Sequence, residues 1–343
     1  MNFLQHIQGS DKLSRGTVMV HAARFLQFDD RLSTVFMASN EQETITRDPA
    51  LNIFKAFGDL KHITVVPHLL VARINDFPKD LAQLAYANHS ELVVIPFQPF
   101  KIMKQEAEPT SISAWLNVSE GPRQNMDREK IVAHLDIIAD QLIRKCRVKV
   151  AILVDAGVQK RPLTTVSILI PFFGGQDDRE SVLLALRIGA LRKVTIHILH
   201  ITILDSTRKP NGNIQDLEMI KYIQSLENNG NQQCIVTYEK VESSTLTDPI
   251  FSHLEKNDYS LVIVGHFGPY WTLYEEENQD EESTVWSLSK IQSTINSLSS
   301  NNELSHNPTL LESVLGPIGL EIYHRNPSSA SLLVLRKSRA PES

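Results

Sequence analysis

The sequence predicts an α/β protein: a tandem of two doubly wound, mainly parallel sheets. Three observations carry this expectation. Short runs of Val, Ile and Leu recur along the chain, as in residues 63–66, 91–96, 151–154, 166–173, 259–265 and 332–335. Runs that are apolar without alternation belong to strands buried on both faces of a parallel sheet. Segments of helical period lie between them, and the same order of strands and helices occurs in both halves. At 343 residues the chain is also long enough for two domains of ordinary size.

In the first half, a strand is expected at residues 17–23, a second at 63–66, a helix over 77–87 and a strand at 91–96. A closing helix follows, with Ile131, Val132, Leu135, Ile138, Ala139, Leu142 and Ile143 on one face, before the strand at 151–154. A five-stranded unit should open with a strand, yet residues 1–7 have the character of a helix. The opening strand is therefore expected to be missing, and the natural N-terminus to lie upstream. The second half has its opening strand, residues 166–173. Asp177 is the expected N-cap of the next helix, and Glu180 three residues on completes an acidic capping box. The strand at 234–237, a helix over 249–254 with Pro249 in its first turn, and strands at 259–265 and 332–335 complete the repeat. Turn residues and charges over 155–162 place the boundary near residue 160, giving domains 1–158 and 163–338. Residues 269–308, with six carboxylates between Glu275 and Glu282, form an acidic insertion in the second domain.

Composition excludes several classes of function. The formal net charge is −6 with a pI near 6.1, so there is no basic excess to hold nucleic acid. Cys146 and Cys234 stand far apart, which rules out a CxxC site or a disulfide framework and indicates a cytosolic chain. The longest apolar run, residues 166–173, is far short of the ~18 residues of a membrane span. A GxSxG elbow, a Walker loop and an HExxH motif are absent from the sequence.

Four segments in a fixed order carry a resemblance: residues 91–97 (ELVVIPF), 150–157 (VAILVDAG), 170–180 (IPFFGGQDDRE) and 315–319 (LGPIG). Together they resemble the cytosolic tail of the CHX family of cation/proton exchangers, from about residue 15 to 336. The Asn/Ser-rich insertion and the divergent first half point to its fungal branch, that of the yeast Golgi potassium/proton antiporter. The resemblance implies a tandem of universal-stress-protein-like, Rossmann-like domains that regulate an upstream transmembrane exchanger domain. It also implies the cytosolic face of an endomembrane such as the Golgi, a homodimer, and no catalysis by the tail itself. The alternatives are a free-standing nucleotide-binding universal stress protein and a degenerate adenylate-forming enzyme.

Candidate binding residues follow from position in the fold. The loop carrying Gly174, Gly175 and Asp177 ends a strand and opens a helix, where α/β folds hold phosphates. Asp177 and Asp178 oppose an anion there, which favours a structural turn. Gly265, His266 and Gly268 follow the fourth strand of the second half, and Gly316 and Gly319 stand at the expected start of the last helix. Together they would line one crevice for an adenine nucleotide, although the Gly-Ser or Gly-Thr that ATP-binding stress proteins place further on is missing. His266, beside the glycines, is the candidate pH-responsive group. His197 alternates with Ile196 and Ile198 and is expected to be a satisfied strand residue.

Overall fold

The apolar runs fold into strands, those of the second half covered on both faces, and the intervening periodic segments fold into the helices that pack on them. The computed structural model describes residues 18–27, 40–61, 63–97, 135–155, 166–191, 193–203, 213–229, 234–266, 308–325 and 330–337. The first half contains β1 (Met19–Gln27), α1 (Glu41–Arg47), α2 (Pro49–Lys61), β2 (Thr64–Ala72), α3 (Phe77–Ala87), β3 (Leu92–Pro96), α4 (Leu135–Lys145) and β4 (Lys149–Val154). The second contains β5 (Val166–Phe172), α5 (Gln176–Leu191), β6 (Val194–Ile203), α6 (Ile214–Asn229), β7 (Cys234–Ser243), α7 (Asp248–Lys256), β8 (Leu261–Gly265), α8 (Pro308–Arg325) and β9 (Ser331–Arg336). The expected helix at 77–87 is found with those bounds, and Pro249 sits in the first turn of α7.

Seven strands form one sheet in the order β3-β4-β9-β8-β5-β6-β7, and β1 pairs with β2 in a separate parallel ribbon. Within the second half the order β7-β6-β5-β8-β9 is wholly parallel, as a doubly wound unit requires. The two halves meet where β4 runs antiparallel to β9, with Ile152 opposite Val334. On the far side of that pair Ile152 faces Ile95 of β3, and Val334 faces Val264 of β8. A local two-fold relation therefore connects the last two strands of each half.

Side chains along these strands alternate between two cores. Val150, Ile152, Val154, Leu332 and Val334 join Phe77, Ile138, Leu142, Val314 and Ile322 on one face. Ala151, Leu153, Leu333 and Leu335 join Val182, Ala185 and Ile188 of α5 on the other. The helices owe their positions to the same partition. Ile138, Ala139, Leu142 and Ile143 make the buried stripe of α4, while the Arg144–Asp140 pair at 2.9 Å stays on its outer side. Helix α3 stops at Asn88, whose side chain donates to the Leu84 carbonyl at 2.9 Å, and His89 then adopts a positive φ of 50°.

One expectation needs correction and another needs extending. The first strand begins at Met19 and extends to Gln27, later and longer than the apolar run at 17–23 suggests, because its pairing with β2 continues past Ala23. The segment Leu315 to Gly319 opens the last helical stretch as expected, but α8 also has turns before it, so two helices meet there at a kink. Gly316, at φ 65° and ψ 170°, interrupts α8 in its middle, and Pro317 restarts it. Residues 1–7, most of the 155–162 connection and nearly all of the acidic insertion lie outside the described residues.

If β4 and β9 carry one continuous core, Ile152→Ala should cost about 2–5 kcal/mol. Combined with Val334→Ala it should show a coupling of about 0.5–3 kcal/mol in a double-mutant cycle followed by urea unfolding. Strict additivity of the two losses would contradict the pairing.

Candidate functional site

The ends of β5, β8 and β9, the start of α5 and the kink of α8 converge at the carboxyl end of the second-half sheet, where folds of this class place their ligands. Gly174 and Gly175 have φ values of 105° and 94°, a conformation glycine adopts without a Cβ clash. Every amide of the turn is already engaged. Phe173 and Gly174 donate to Asp178 Oδ2 at 2.7 and 3.0 Å. Gly175 donates to both oxygens of Asp216, each at 3.1 Å. Arg179 pairs with Asp216 and donates to Gln215 Oε1 at 2.8 Å.

Asp177 lies within α5 and does not cap it, which corrects the expected N-cap. Its carboxylate accepts from Arg336 Nη1 at 3.1 Å and from the Lys337 amide at 2.9 Å. The residue is only 5% exposed, so these donors at the end of β9 outweigh the local cap. Glu180 leaves the capping box for the same reason and pairs with Lys149 of β4 at 2.6 Å. The capping role passes to Asp178, which reaches back to the loop.

Asp178 is fully buried. Its Oδ1 abuts Gly265 and has no hydrogen-bond partner among the described residues. Burial pushes its carboxyl well above the usual range; the Phe173 amide opposes that shift, and the charge of Asp177 adds to it. Its Oδ2 accepts both loop amides, so the two carboxyl oxygens sit in different surroundings. Close packing, more than ligand space, explains the neighbouring glycines. A Cβ on Gly265 would strike Asp178 Oδ1, one on Gly316 would strike the His266 carbonyl, and one on Gly319 would come within 2.8 Å of Val334 Cγ2.

His266 is 6% exposed, and its Nε2 donates to the Ser313 carbonyl at 2.8 Å. Burial and then the nearby Arg336 lower its pKa to about 4. This removes it from the neutral range in which the sequence placed it, because the imidazole is enclosed next to a cation. Gly268 lies outside the described residues.

The structure thus brings Gly174, Gly175, Asp177, Gly265, His266, Gly316 and Gly319 together, and surrounds them with Asp178, Arg179, Asp216 and Arg336. An anion could reach the loop amides only by displacing the carboxylates of Asp178 and Asp216. Asp216 escaped the sequence reading because it stands 41 positions from Gly175 with no local signature.

A second cleft, of about 250 Å³ and of mixed lining, lies on the sheet beside α7. His253 there pairs with Glu239 at 3.3 Å, and His197 Nδ1 is 2.9 Å from Thr237 Oγ1. His197 also meets Tyr259 edge-on, at 5.4 Å between ring centroids, and is a satisfied strand residue as expected. Among the described residues no group of histidines, cysteines and carboxylates is arranged to hold a metal ion.

Comparison with known proteins identifies the setting of this crevice. The family model for the plant cation/H(+) antiporter C-terminal domain matches residues 165–336, which include the crevice residues from Gly174 to Arg336. The chain belongs to this family. A second model, for a plant cation/H(+) antiporter domain, matches residues 20–120. Cation/H(+) antiporter 17 of Arabidopsis thaliana is 20% identical over 238 residues, covering 64% of this chain and 26% of the relative. Cation/H(+) antiporter 19 of the same plant is 22% identical over 199 residues, covering 53% and 22%. The chain thus spans about a quarter of the length of these relatives. Among solved structures, a universal stress protein from Archaeoglobus fulgidus has a TM-score of 0.47 at 10% identity, covering 96% of this chain and 88% of its own. A putative universal stress protein from Pseudomonas aeruginosa has a TM-score of 0.40 at 13% identity, covering 93% and 92%.

Removing Asp178 tests its role as the internal cap. Asp178→Ala strands two buried amides and should cost about 2–5 kcal/mol in urea unfolding. Asp178→Asn, which can still accept from both, should cost less and should flatten the pH dependence of stability. The sign follows from the raised pKa: the native acid's contribution is fully present below 3.8 and is lost as the pH rises toward the folded value. His266 acts in the opposite direction. With its pKa held near 4 against 6.5 when unfolded, stability should fall by about 3 kcal/mol as the pH drops from 6.5 to 4, and His266→Gln should remove that slope. Thermal unfolding in a pH series reads both effects.

Proposed function

We propose that this chain is the regulatory appendage of a membrane monovalent-cation/proton antiporter, potassium being the favoured cation, and that it carries out no catalysis of its own. The observation that carries this reading is the family match over residues 165–336, taken with relatives that are antiporters about two and a half times as long. The crevice supports it too, since its loop amides are bound by the chain's own carboxylates and present no nucleophile or phosphate cradle. Among the described residues no helix is long and apolar enough to cross a membrane, so the transport step belongs to another part of the parent. We place the tail on the cytosolic face of an endomembrane, the Golgi in the fungal branch that the Asn/Ser-rich insertion suggests, in a parent that is a homodimer. Its action is a conformational bias: whatever stabilises one packing of the tail favours one state of the linked transport core.

The test is ion flux in proteoliposomes holding the parent antiporter. Asp216→Asn, which loosens the Gly175 and Arg179 contacts, should change the apparent cation affinity by roughly 5–150-fold, the span of a coupling of about 1–3 kcal/mol. Unaltered flux in a variant whose tail is measurably destabilised would refute the reading. The convergence of Gly174, Gly175, Gly265 and Gly316 at the strand ends supports a second reading, an adenine-nucleotide site. ATP or AMP at 100 times its Kd would then stabilise the chain by about 2.7 kcal/mol. With the loop amides occupied, we expect no shift in melting temperature at micromolar nucleotide.

A further inference from the structure

The β1–β2 ribbon carries a pair of titratable rings far from the crevice. His21 Nδ1 and His68 Nε2 stand 2.9 Å apart, and the two rings stack with centroids 5.1 Å apart and planes 28° from parallel. Register makes this a diagonal contact, since His21 lies opposite Val66 and His68 opposite Ala23. Side chains alternate along a strand, so both rings share the ribbon face that carries Phe25, while Arg24 turns the other way to Asp48. On that shared face Phe25 packs against Phe77 of α3, with ring centroids 4.6 Å apart. The histidines therefore lie on the side by which the ribbon is held to α3.

An N–H···N contact between imidazoles has a strict proton count. One ring donates, and the other must accept through a bare nitrogen. The pair can take up one proton and stay bonded, because an imidazolium still donates to its neutral neighbour. A second proton has to occupy the accepting nitrogen. The hydrogen bond is then lost, and two cations face each other at close range in a half-buried place.

We propose that His21 and His68 form a fastener released by protons: uptake of the second ring proton parts the two rings and loosens the β1–β2 ribbon from α3. The surroundings agree. Burial and then the charge of His21 lower the pKa of His68 from 6.5, and Glu41 at the start of α1 opposes them. The neighbouring charges of α1 are engaged elsewhere, Arg47 with Glu43 at 2.7 Å and Asp48 with Arg24 at 3.2 Å. α2 packs on the opposite face, through Gly58 against Val65, and its Lys55 and Asp59 are exposed. α3 meets the ribbon through Phe77, with Asp76 and Lys79 exposed and Asp80 half-buried. Because the folded value of His68 lies below the unfolded one, the contribution of the pair is present above 6.5 and is lost as the pH falls through the folded value. The enclosed His266, held near 4, answers only to stronger acid. The release is a property of this chain; that it reports pH to a transport core rests on the function proposed above.

Hydrogen exchange read by mass spectrometry on the 343-residue chain tests the release, with rates corrected for their intrinsic pH dependence. Between about pH 7.5 and 5, protection of β1 and β2 should fall by at least about tenfold while β4 and β9 keep theirs. His68→Gln and His21→Gln each keep a hydrogen-bonding group and cannot gain a charge, so either should hold the ribbon's protection constant over that range. Glu41→Gln should move the midpoint of the loss to lower pH. This exposed change assigns the loss to the pair even if both histidine variants fail to fold. Constant protection in the unsubstituted chain overturns the proposal, as does a loss shared equally by β4 and β9. A loss that persists in both histidine variants, or a midpoint unmoved by Glu41→Gln, overturns it as well.

Discussion

The backbone ladder between β4 and β9 is the constraint on which the rest of the structure depends. A strand leaves peptide groups along both edges, and buried groups of this kind must be paired. β4 and β9 are each the last strand of their half, and each completes the other's hydrogen bonding in antiparallel register. The two cores continue across that junction, so α4 and α8 pack as neighbours over one face and α5 covers the other. In geometry the arrangement is a self-complementary dimer contact drawn into a single chain.

At the carboxyl end of the sheet the same economy of donors and acceptors has closed a crevice. A glycine turn before a helix offers backbone amides to a ligand, and in this chain Asp178 and Asp216 accept them. Asp177 fastens α5 to β9, so the turn is bound to three separate parts of the second half. Burial raises the pKa of Asp178 and lowers that of His266, so at both positions it favours the neutral form. The fold has kept the shape of a binding site and used its donors for rigidity.

Much of the fold was legible in the sequence because strands covered on both faces leave uninterrupted apolar runs: β3, β4, β5, β8 and β9 fall where those runs fall. Half-covered β1 was harder, since Arg24 and Gln27 interrupt its apolar pattern and its length is set by pairing with β2. The crevice was legible in position and less so in role. FFGGxDDRE marks a turn and a helix start, but which carboxylate caps depends on what lies opposite. Arg336 and Lys337, some 160 positions away, draw Asp177 out of the cap, and no local pattern reveals that. The helix entry at Gly316-Pro317 was legible, but the helical turns just before it were not, nor was the close approach of the His266 carbonyl that keeps position 316 a glycine.

The β4–β9 ladder also bears on how the polypeptide is made. Ile152 and its partner Val334 are far apart along the chain, and synthesis runs from the N-terminus at about 5–20 residues per second. On the ribosome, β4 waits roughly 10–40 seconds with an apolar edge uncovered before β9 emerges. Nascent chains of the first half are thus the species most exposed to mispairing with one another, and a chaperone acting before residue 331 is translated would meet that hazard at its source.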